Sequence, residues 1–165
     1  MNIDFVFTGI GAICTVASII GAWKSNKYYK KSRNLVLFSN CNVAYLEVQK
    51  IIDTFTQLLK LSNPKLPQRG TNIDKTLSKY GVDIKNSVNI IRKKLSIDDW
   101  EEIESILQGP TIDARKYIDS IITCSVIVDG KFVLNDDFNS VQEAFYKAQK
   151  HLKSRSEELA ESIKS

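Results

Sequence analysis

The N-terminal segment constrains this chain more than any other part of its sequence. Nineteen residues without a charge run from Phe5 to Trp23. As an α-helix this segment spans about 28 Å, which matches the hydrocarbon core of a bilayer. We therefore predict a transmembrane helix over residues 1–23, which makes the lipid bilayer the first expected partner.

The charges beside this segment predict its orientation. Asp4 precedes it, and five cations with no acid follow it in residues 24–33. A cleaved signal peptide has the opposite order, with its basic region first, so an uncleaved span is favoured over a signal peptide or a buried core helix. By the positive-inside rule, the N-terminus lies outside the cell inner membrane and the C-terminal domain is cytoplasmic. Aromatic and basic residues are expected at the membrane interface: Trp23, Lys24, Lys27, Tyr28, Tyr29, Lys30, Lys31 and Arg33.

The formal charge of +4 is confined to this N-terminal region. Residues 34–165 carry 18 basic and 18 acidic residues, so the sequence pI near 8.9 does not indicate a nucleic-acid-binding surface spread over the protein. The remaining length suits one domain of about 130 residues, which excludes a multi-domain enzyme. A hydrophobic fraction of 43% excludes a disordered chain, and three cysteines at unrelated spacings exclude a disulfide scaffold.

Small and polar residues recur along one stripe of the predicted span, at alternating steps of four and three. The stripe consists of Asp4, Thr8, Gly11, Thr15, Ser18, Ala22 and Ser25. Lipid offers no partner for a hydroxyl and no packing for a missing side chain, so this stripe should face protein or water. The opposite side should face lipid, and it carries Val6, Ile10, Ile13, Ala17 and Ile20.

Two arrangements satisfy the stripe, and both require a homo-oligomer formed through the transmembrane helix. In one, small residues let neighbouring helices pack closely and hydroxyls bond across the interface. In the other, several copies surround an axis and the stripe lines a narrow polar pore. The Asp4 carboxylates would then stand at the outer mouth and favour cations.

Residues 34–165 are predicted to form a cytoplasmic helical domain. Apolar residues at helical spacing predict a helix from Asn34 to a loop at Ser62–Gly70, and a second from about Thr71 with a weak point at Gly81. Ser96 and Asp99 have capping-box spacing, so a third helix should start there and run to Gly109. Pro110 should start a fourth. The last should begin at Asp136 or Asp137.

Residues 125–134 permit two interpretations. Asp-Gly between β-branched and aromatic residues favours a short β-hairpin, whereas a helix ending at a glycine is the alternative. The expected fold class is thus mainly all-α, with an N-terminal transmembrane helix and a cytoplasmic bundle of four or five helices. No Pro or Gly lies within residues 22–61, so a continuous or nearly continuous helix is expected to connect the span to the bundle.

The sequence contains no recognisable catalytic set. His151 has basic neighbours and suits a surface, and no Cys or His pair has zinc spacing. The acidic start of the third helix, from Asp98 to Glu104, is typical of a solvated run that complements the helix dipole. We therefore expect no enzyme, cofactor or metal site.

Two groups of basic residues are candidates for an anionic ligand. Arg92, Lys93 and Lys94 lie near the end of one predicted helix, and Lys147, Lys150, His151 and Arg155 form a stripe on another. If folding brings the groups together, they form a pocket for a nucleotide or oligonucleotide. The alternative is two solvated helix faces. For residues 24–33, orientation and attraction to anionic lipid are a sufficient explanation.

The order of span, basic segment and helical domain resembles the small single-pass membrane effectors of bacterial anti-phage defence, and most nearly the Hailong-type effector channels. The residues that carry this resemblance are the stripe from Asp4 to Ser25 and the cations from Lys24 to Arg33. The resemblance implies a cytoplasmic domain that senses a nucleotide or oligonucleotide messenger and oligomeric spans that control membrane permeability. It transfers no messenger-binding residue to a position of this chain.

The function expected from the sequence is an oligomeric membrane protein that forms or gates a small ion-conducting pore under the control of its cytoplasmic domain. A membrane-tethered adaptor is the alternative, in which the span only dimerises and the bundle binds a partner protein. Bulky residues at Thr15 and Ser18 should discriminate between the two, because they block a pore but disrupt a tight helix interface.

Overall fold

A computed structural model describes residues 3–62, 73–108, 126–128, 131–134 and 137–164. Side chains are described throughout these ranges except at 3–14, 16, 17, 73, 74, 126–128 and 131–133. The elements are α1 (Ile3–Leu61), α2 (Ile73–Lys94), α3 (Ile97–Leu107), β1 (Val126–Val128), β2 (Lys131–Val133) and α4 (Phe138–Lys164). The described part of the chain is therefore mainly α-helical, as predicted.

Helix α1 is a single uninterrupted element of 59 residues. At the usual rise of an α-helix it is about 88 Å long. It contains residues 24–33 and the start of the helical domain at Asn34 without a break, which confirms the continuous helix expected from the absence of Pro and Gly. It ends at Leu61, and the N–H of Ser62 donates to the carbonyl of Leu58 at 3.0 Å.

The next two helices follow the sequence signals closely. Helix α2 starts at Ile73, and Gly81 does not interrupt it. Helix α3 starts directly after Ser96, whose Oγ accepts a hydrogen bond from the Asp99 N–H at 3.2 Å. The predicted N-cap is therefore confirmed, because the hydroxyl satisfies an N–H group that has no partner within the helix. The predicted end at Gly109 and the helix predicted from Pro110 lie outside the described residues.

Residues 126–133 contain the hairpin strands. β1 and β2 pair antiparallel, with Val126 opposite Val133 and Val128 opposite Lys131. The two paired strands agree with the hairpin interpretation of residues 125–134 and not with the helix interpretation. Helix α4 then begins at Phe138, where the N–H of Val141 donates to the carbonyl of Asp137 at 3.0 Å.

The hydrophobic core lies where α2 and α4 pack against the C-terminal half of α1, with α3 packed on α4. Phe55 is fully buried, and its ring makes edge-to-face contacts with Phe138 and Phe145, each at a centroid distance of 5.4 Å. Such aromatic pairs contribute about 0.5–1.5 kcal/mol each beyond the burial of their area. The core also includes Cys41, Ala44, Val48, Ile51, Ile52, Leu58, Leu77, Ile84, Ile91, Trp100, Ile103, Leu107, Val141, Ala148, Leu152 and Leu159.

Helices α1 and α4 run antiparallel, because residue numbers rise along one as they fall along the other in the contacts between them. Side-chain hydrogen bonds join the pairs Asn34–Ser162, Asn42–Ser156 and Gln49–Gln149. Helix α4 ends beside Asn34. Residues 18–30 of α1 are exposed. The N-terminal part of α1 therefore extends beyond the C-terminal end of α4.

Candidate functional site

The predicted stripe lies on one unbroken helix. The backbone of Asp4, Thr8 and Gly11 belongs to α1, but their side chains are outside those described. The remaining members, Thr15, Ser18, Ala22 and Ser25, are exposed in the single chain. Over the side chains that the structure describes, no helix combines the length and the apolar composition needed to cross a membrane.

The predicted interface residues continue along α1 in helical form. Trp23, Lys24, Lys27, Tyr28, Tyr29, Lys30 and Arg33 are exposed, and Lys31 is half-buried. The helix has no break at Lys24 or Arg33, so these residues are part of α1.

Two shallow grooves adjoin these cations where α1 passes the end of α4. One, of about 320 Å³, lies between Trp23, Lys27, Lys31 and Ser162. The other, of about 380 Å³, has Lys30, Arg33 and Arg155 among its lining residues. The second groove therefore combines cationic side chains from α1 and α4, an arrangement that the spacing of residues along either helix alone does not reveal.

The candidate ligand residues of α2 remain in solvent. Arg92, Lys93 and Lys94 are exposed in its last turn, where the helix dipole favours cations. The structure places this group and the α4 group on different helices, each of which packs mainly against α1.

The α4 candidates divide into exposed and engaged side chains. Lys147 and Lys150 are exposed, and Lys147 pairs with Glu143 at 2.8 Å. His151 is half-buried, and its Nε2 is shielded from solvent. That atom lies 3.0 Å from Glu102 Oε2 without meeting hydrogen-bond geometry. A single basic stripe on α4 is therefore an incomplete description of these residues.

Arg155 joins α4 to α3. Its Nε donates to Asp99 Oδ1 at 2.9 Å, and its Nη1 donates to Glu158 Oε2 at 3.1 Å. Burial alone disfavours the charge of Arg155, but hydrogen bonds and charges from Glu158 and Asp99 outweigh burial and raise the pKa of the guanidinium. This side chain has a structural role that the sequence-based prediction did not include.

The expectation that the acidic start of α3 is solvated was wrong for one residue. Asp99 is only 7% exposed, and its Oδ2 accepts a hydrogen bond from Ser96 Oγ at 2.6 Å. Together with Arg155, this contact satisfies both oxygens of a carboxylate that burial would otherwise penalise. The capping-box spacing indicated Ser96 and Asp99, but nothing in the sequence indicated their partner on α4.

A second buried carboxylate connects α1 to α2. Glu47 is 7% exposed, and its two oxygens accept hydrogen bonds from Lys50 at 2.5 Å and from Ser87 at 2.8 Å. Burial raises the pKa of Glu47, but the Lys50 and Ser87 hydrogen bonds and the Lys50 charge together hold it below its ordinary value. Ser87 of α2 and Arg155 of α4 therefore each donate a hydrogen bond to a buried carboxylate.

Within the described ranges, no group of three or more His, Cys, Asp or Glu residues is arranged to hold a metal ion. The described site combines cationic, amide and hydroxyl side chains along α1 and α4 with the Glu158 carboxylate. Comparison of the chain with protein-family models, with curated proteins and with solved structures finds no match.

Proposed function

We propose that this chain is an oligomeric single-pass protein of the cell inner membrane whose spans form or gate a small ion-conducting path. The observation that supports this most directly is the continuity of α1, which joins the uncharged segment ending at Trp23 to the core around Phe55 in one helix. With no turn between the two, a rotation or tilt of the bundle moves the N-terminal half of the same helix.

The proposed span comprises residues 5–23. Its support is the run of nineteen uncharged residues, followed by cations that orient it with the bundle in the cytoplasm. Ile19, Ile20 and Trp23 are exposed in the single chain, which suits side chains that meet lipid or its interface with water.

The stripe supports an oligomer rather than a lone span. Thr15, Ser18, Ala22 and Ser25 are exposed on one side of α1. Because lipid is a poor environment for hydroxyl and small side chains, neighbouring copies or a water-filled path are the better surroundings. A path lined in this way is narrow and polar.

The controlling ligand in this proposal is a nucleotide or an oligonucleotide. The second groove offers the exposed cations Lys30 and Arg33 of α1 to phosphate groups, beside the Arg155–Glu158 pair of α4. A ligand bound there would contact the C-terminal part of α4 and α1 at the same time, so it could change their relative position. Titration of the full-length protein with short oligonucleotides should show binding that Arg33→Ala weakens, with exposed Lys79→Ala as the control variant.

The experiment that tests the proposed function is ion flux from liposomes containing the full-length protein. Thr15→Leu and Ser18→Leu should reduce flux while the oligomer keeps its mass. Ala17→Leu, the same kind of enlargement on the expected lipid side, should change neither. Loss of assembly in the Thr15 and Ser18 variants would instead indicate a tight helix interface.

The membrane-tethered adaptor is the alternative outcome of this experiment. A dimer by mass with no flux in the presence or absence of short oligonucleotides would rule out the channel and favour an adaptor whose bundle binds a partner protein.

A further inference from the structure

The side of α1 that faces away from the bundle is exposed and uncharged over several turns. Val36 and Leu46 are 56% and 57% exposed. Ser32 and Ser39 on the same side are exposed, and Val43 is half-buried. Single exposed apolar residues are ordinary on protein surfaces, but these residues recur at regular positions along one helix.

These residues continue the stripe that begins at Asp4. Steps of four and three lead from Ser25 to Tyr29 and onward, and no turn interrupts the phase because α1 is one helix. On a straight helix a seven-residue repeat drifts by about 20° per heptad, which neighbouring helices absorb by supercoiling. We call the cytoplasmic part of this stripe the seam; it consists of Tyr29, Ser32, Val36, Ser39, Val43 and Leu46.

Charged residues avoid the seam. The thirteen residues from Asn34 to Leu46 contain none, in a chain that is 25% charged. Packing against the bundle explains this for the buried residues Cys41 and Ala44, but not for the exposed side of the helix. The absence of charge on that exposed side indicates a surface that is covered.

The cations of the basic segment also avoid the stripe, whereas the part of α1 after Leu46 carries charges on it. None of the five cations of residues 24–33 occupies the stripe positions Ser25, Tyr29 and Ser32. After Leu46 the stripe becomes polar, and its next members are exposed: Lys50, Asp53, Gln57 and Lys60. The seam therefore ends at Leu46 on its C-terminal side.

We propose that a second copy of this chain covers the seam, so that α1 helices of neighbouring protomers pack together from the membrane down to Leu46. The identity of the occupant rests on the proposed function, since the seam continues in phase the stripe through which the spans associate. Binding of an unrelated partner protein to the bundle would not require residues on α1 to keep the heptad spacing of the stripe in the span.

The sizes of the seam residues suit helix-to-helix packing. Serine occupies one heptad position in successive repeats, at Ser25, Ser32 and Ser39, whereas larger residues occupy the other, at Tyr29 and Val36. Small residues let backbones approach, and the larger ones fill the layers between them in the manner of knobs in holes. A seam of this kind gives every protomer the same contact, as a closed symmetric oligomer requires.

Cysteine cross-linking of the full-length protein in detergent tests the seam directly. In a background with Cys14→Ser and Cys124→Ser, Cys41 remains but is only 2% exposed. Ser39→Cys should then yield mostly cross-linked dimer with a short bismaleimide. Ser78→Cys on α2 and Ser154→Cys on α4 make the same change at exposed positions and should yield mostly monomer.

Charge substitutions provide an independent test. Leu46→Glu should weaken association by about tenfold or more, because it would bury an unpaired charge between copies. Asp53→Lys, just below the lower end of the seam, should leave association unchanged. Both side chains are exposed in the single chain, so the thermal unfolding of the bundle should be similar in the two variants.

The outcomes separate this inference from the proposed function. An oligomer by mass that conducts ions but gives equal cross-linking at Ser39, Ser78 and Ser154 would overturn the seam and leave the channel standing. Selective cross-linking at Ser39 without ion flux would support the seam and overturn the channel. A monomer by mass would overturn both.

Discussion

Arg155 and Asp99 lie 56 residues apart in the chain and form a hydrogen-bonded ion pair between α4 and α3, with Nε and Oδ1 at 2.9 Å. The carboxylate is buried and the guanidinium is partly exposed. Ser96 binds the other oxygen of Asp99, so the start of α3 is held to α4 by one acid with two partners. This contact fixes α3 on the helix whose end reaches the basic segment of α1.

Removing Arg155 should therefore loosen the bundle. Arg155→Ala leaves the Asp99 carboxylate buried with fewer partners, and we expect the free energy of unfolding to fall by about 1–3 kcal/mol. Chemical denaturation of the full-length protein in detergent measures this loss. The control is Lys153→Ala on the exposed side of the same helix, which should change stability by no more than about 0.5 kcal/mol. Equal losses in both variants would contradict the structural role of Arg155.

Glu47 should make stability depend on pH in the acidic range. Its pKa in the folded protein lies below the ordinary value of 4.5, because the contacts from Lys50 and Ser87 outweigh burial. A carboxylate of this kind stabilises the fold above its ordinary pKa, and that contribution is lost as the pH falls through the lowered value. Denaturation midpoints measured below pH 4.5 should therefore fall more steeply in the wild type than in Glu47→Gln. Exposed Glu101→Gln should retain the wild-type slope.

Spacing along the chain predicted the helices but not the contacts between them. The apolar period and the Ser96 cap depend on residues within a few positions of each other, so α2 and α3 begin close to where the sequence placed them. The partner of Asp99 depends on which face of α4 meets α3, which no local pattern encodes. For the same reason Arg155 looked like one member of a basic stripe, and its place in the groove with Lys30 and Arg33 became visible only with α1 and α4 side by side.

Cys41 should be unreactive in the folded protein. Its Sγ donates to the carbonyl of Leu152 at 3.2 Å, and burial first, with the Asp99 charge second, raises the pKa of the thiol from 9.0 to about 11. With Cys14 and Cys124 replaced by serine, maleimide should label Cys41 only after unfolding. Adding Ser154→Cys to that background supplies an exposed thiol on α4 that should react at once.

The same shift predicts how alkali affects the fold. A thiol whose pKa is raised on folding stabilises the protein fully below its ordinary pKa of 9.0, and this contribution is lost as the pH rises toward about 11. Cys41→Ala removes the titrating group, so its stability should decline less between pH 9 and pH 11 than that of the wild type. Parallel curves for the two proteins would show that Cys41 does not carry the effect.

Phe55 should be among the most sensitive core positions, because its ring packs against both Phe138 and Phe145 of α4. Phe55→Ala should cost about 3–5 kcal/mol by leaving a cavity between α1 and α4. Phe55→Leu keeps most of the volume and should cost less. Val82→Ala at an exposed site of α2 is the control. Thermal unfolding of the three variants checks this order.

The unbroken helix predicts that the bundle and the N-terminal half of α1 act as one mechanical unit. Asn26→Pro removes a backbone donor and kinks the helix between Trp23 and the bundle. In the wild type, loosening the bundle by Arg155→Ala should change ion flux from liposomes. With Asn26→Pro present, the same loosening should have no further effect on flux, whereas with Asn26→Ala the effect should persist. If Arg155→Ala changes flux equally in the Pro and Ala backgrounds, the two halves of α1 are not coupled through its backbone.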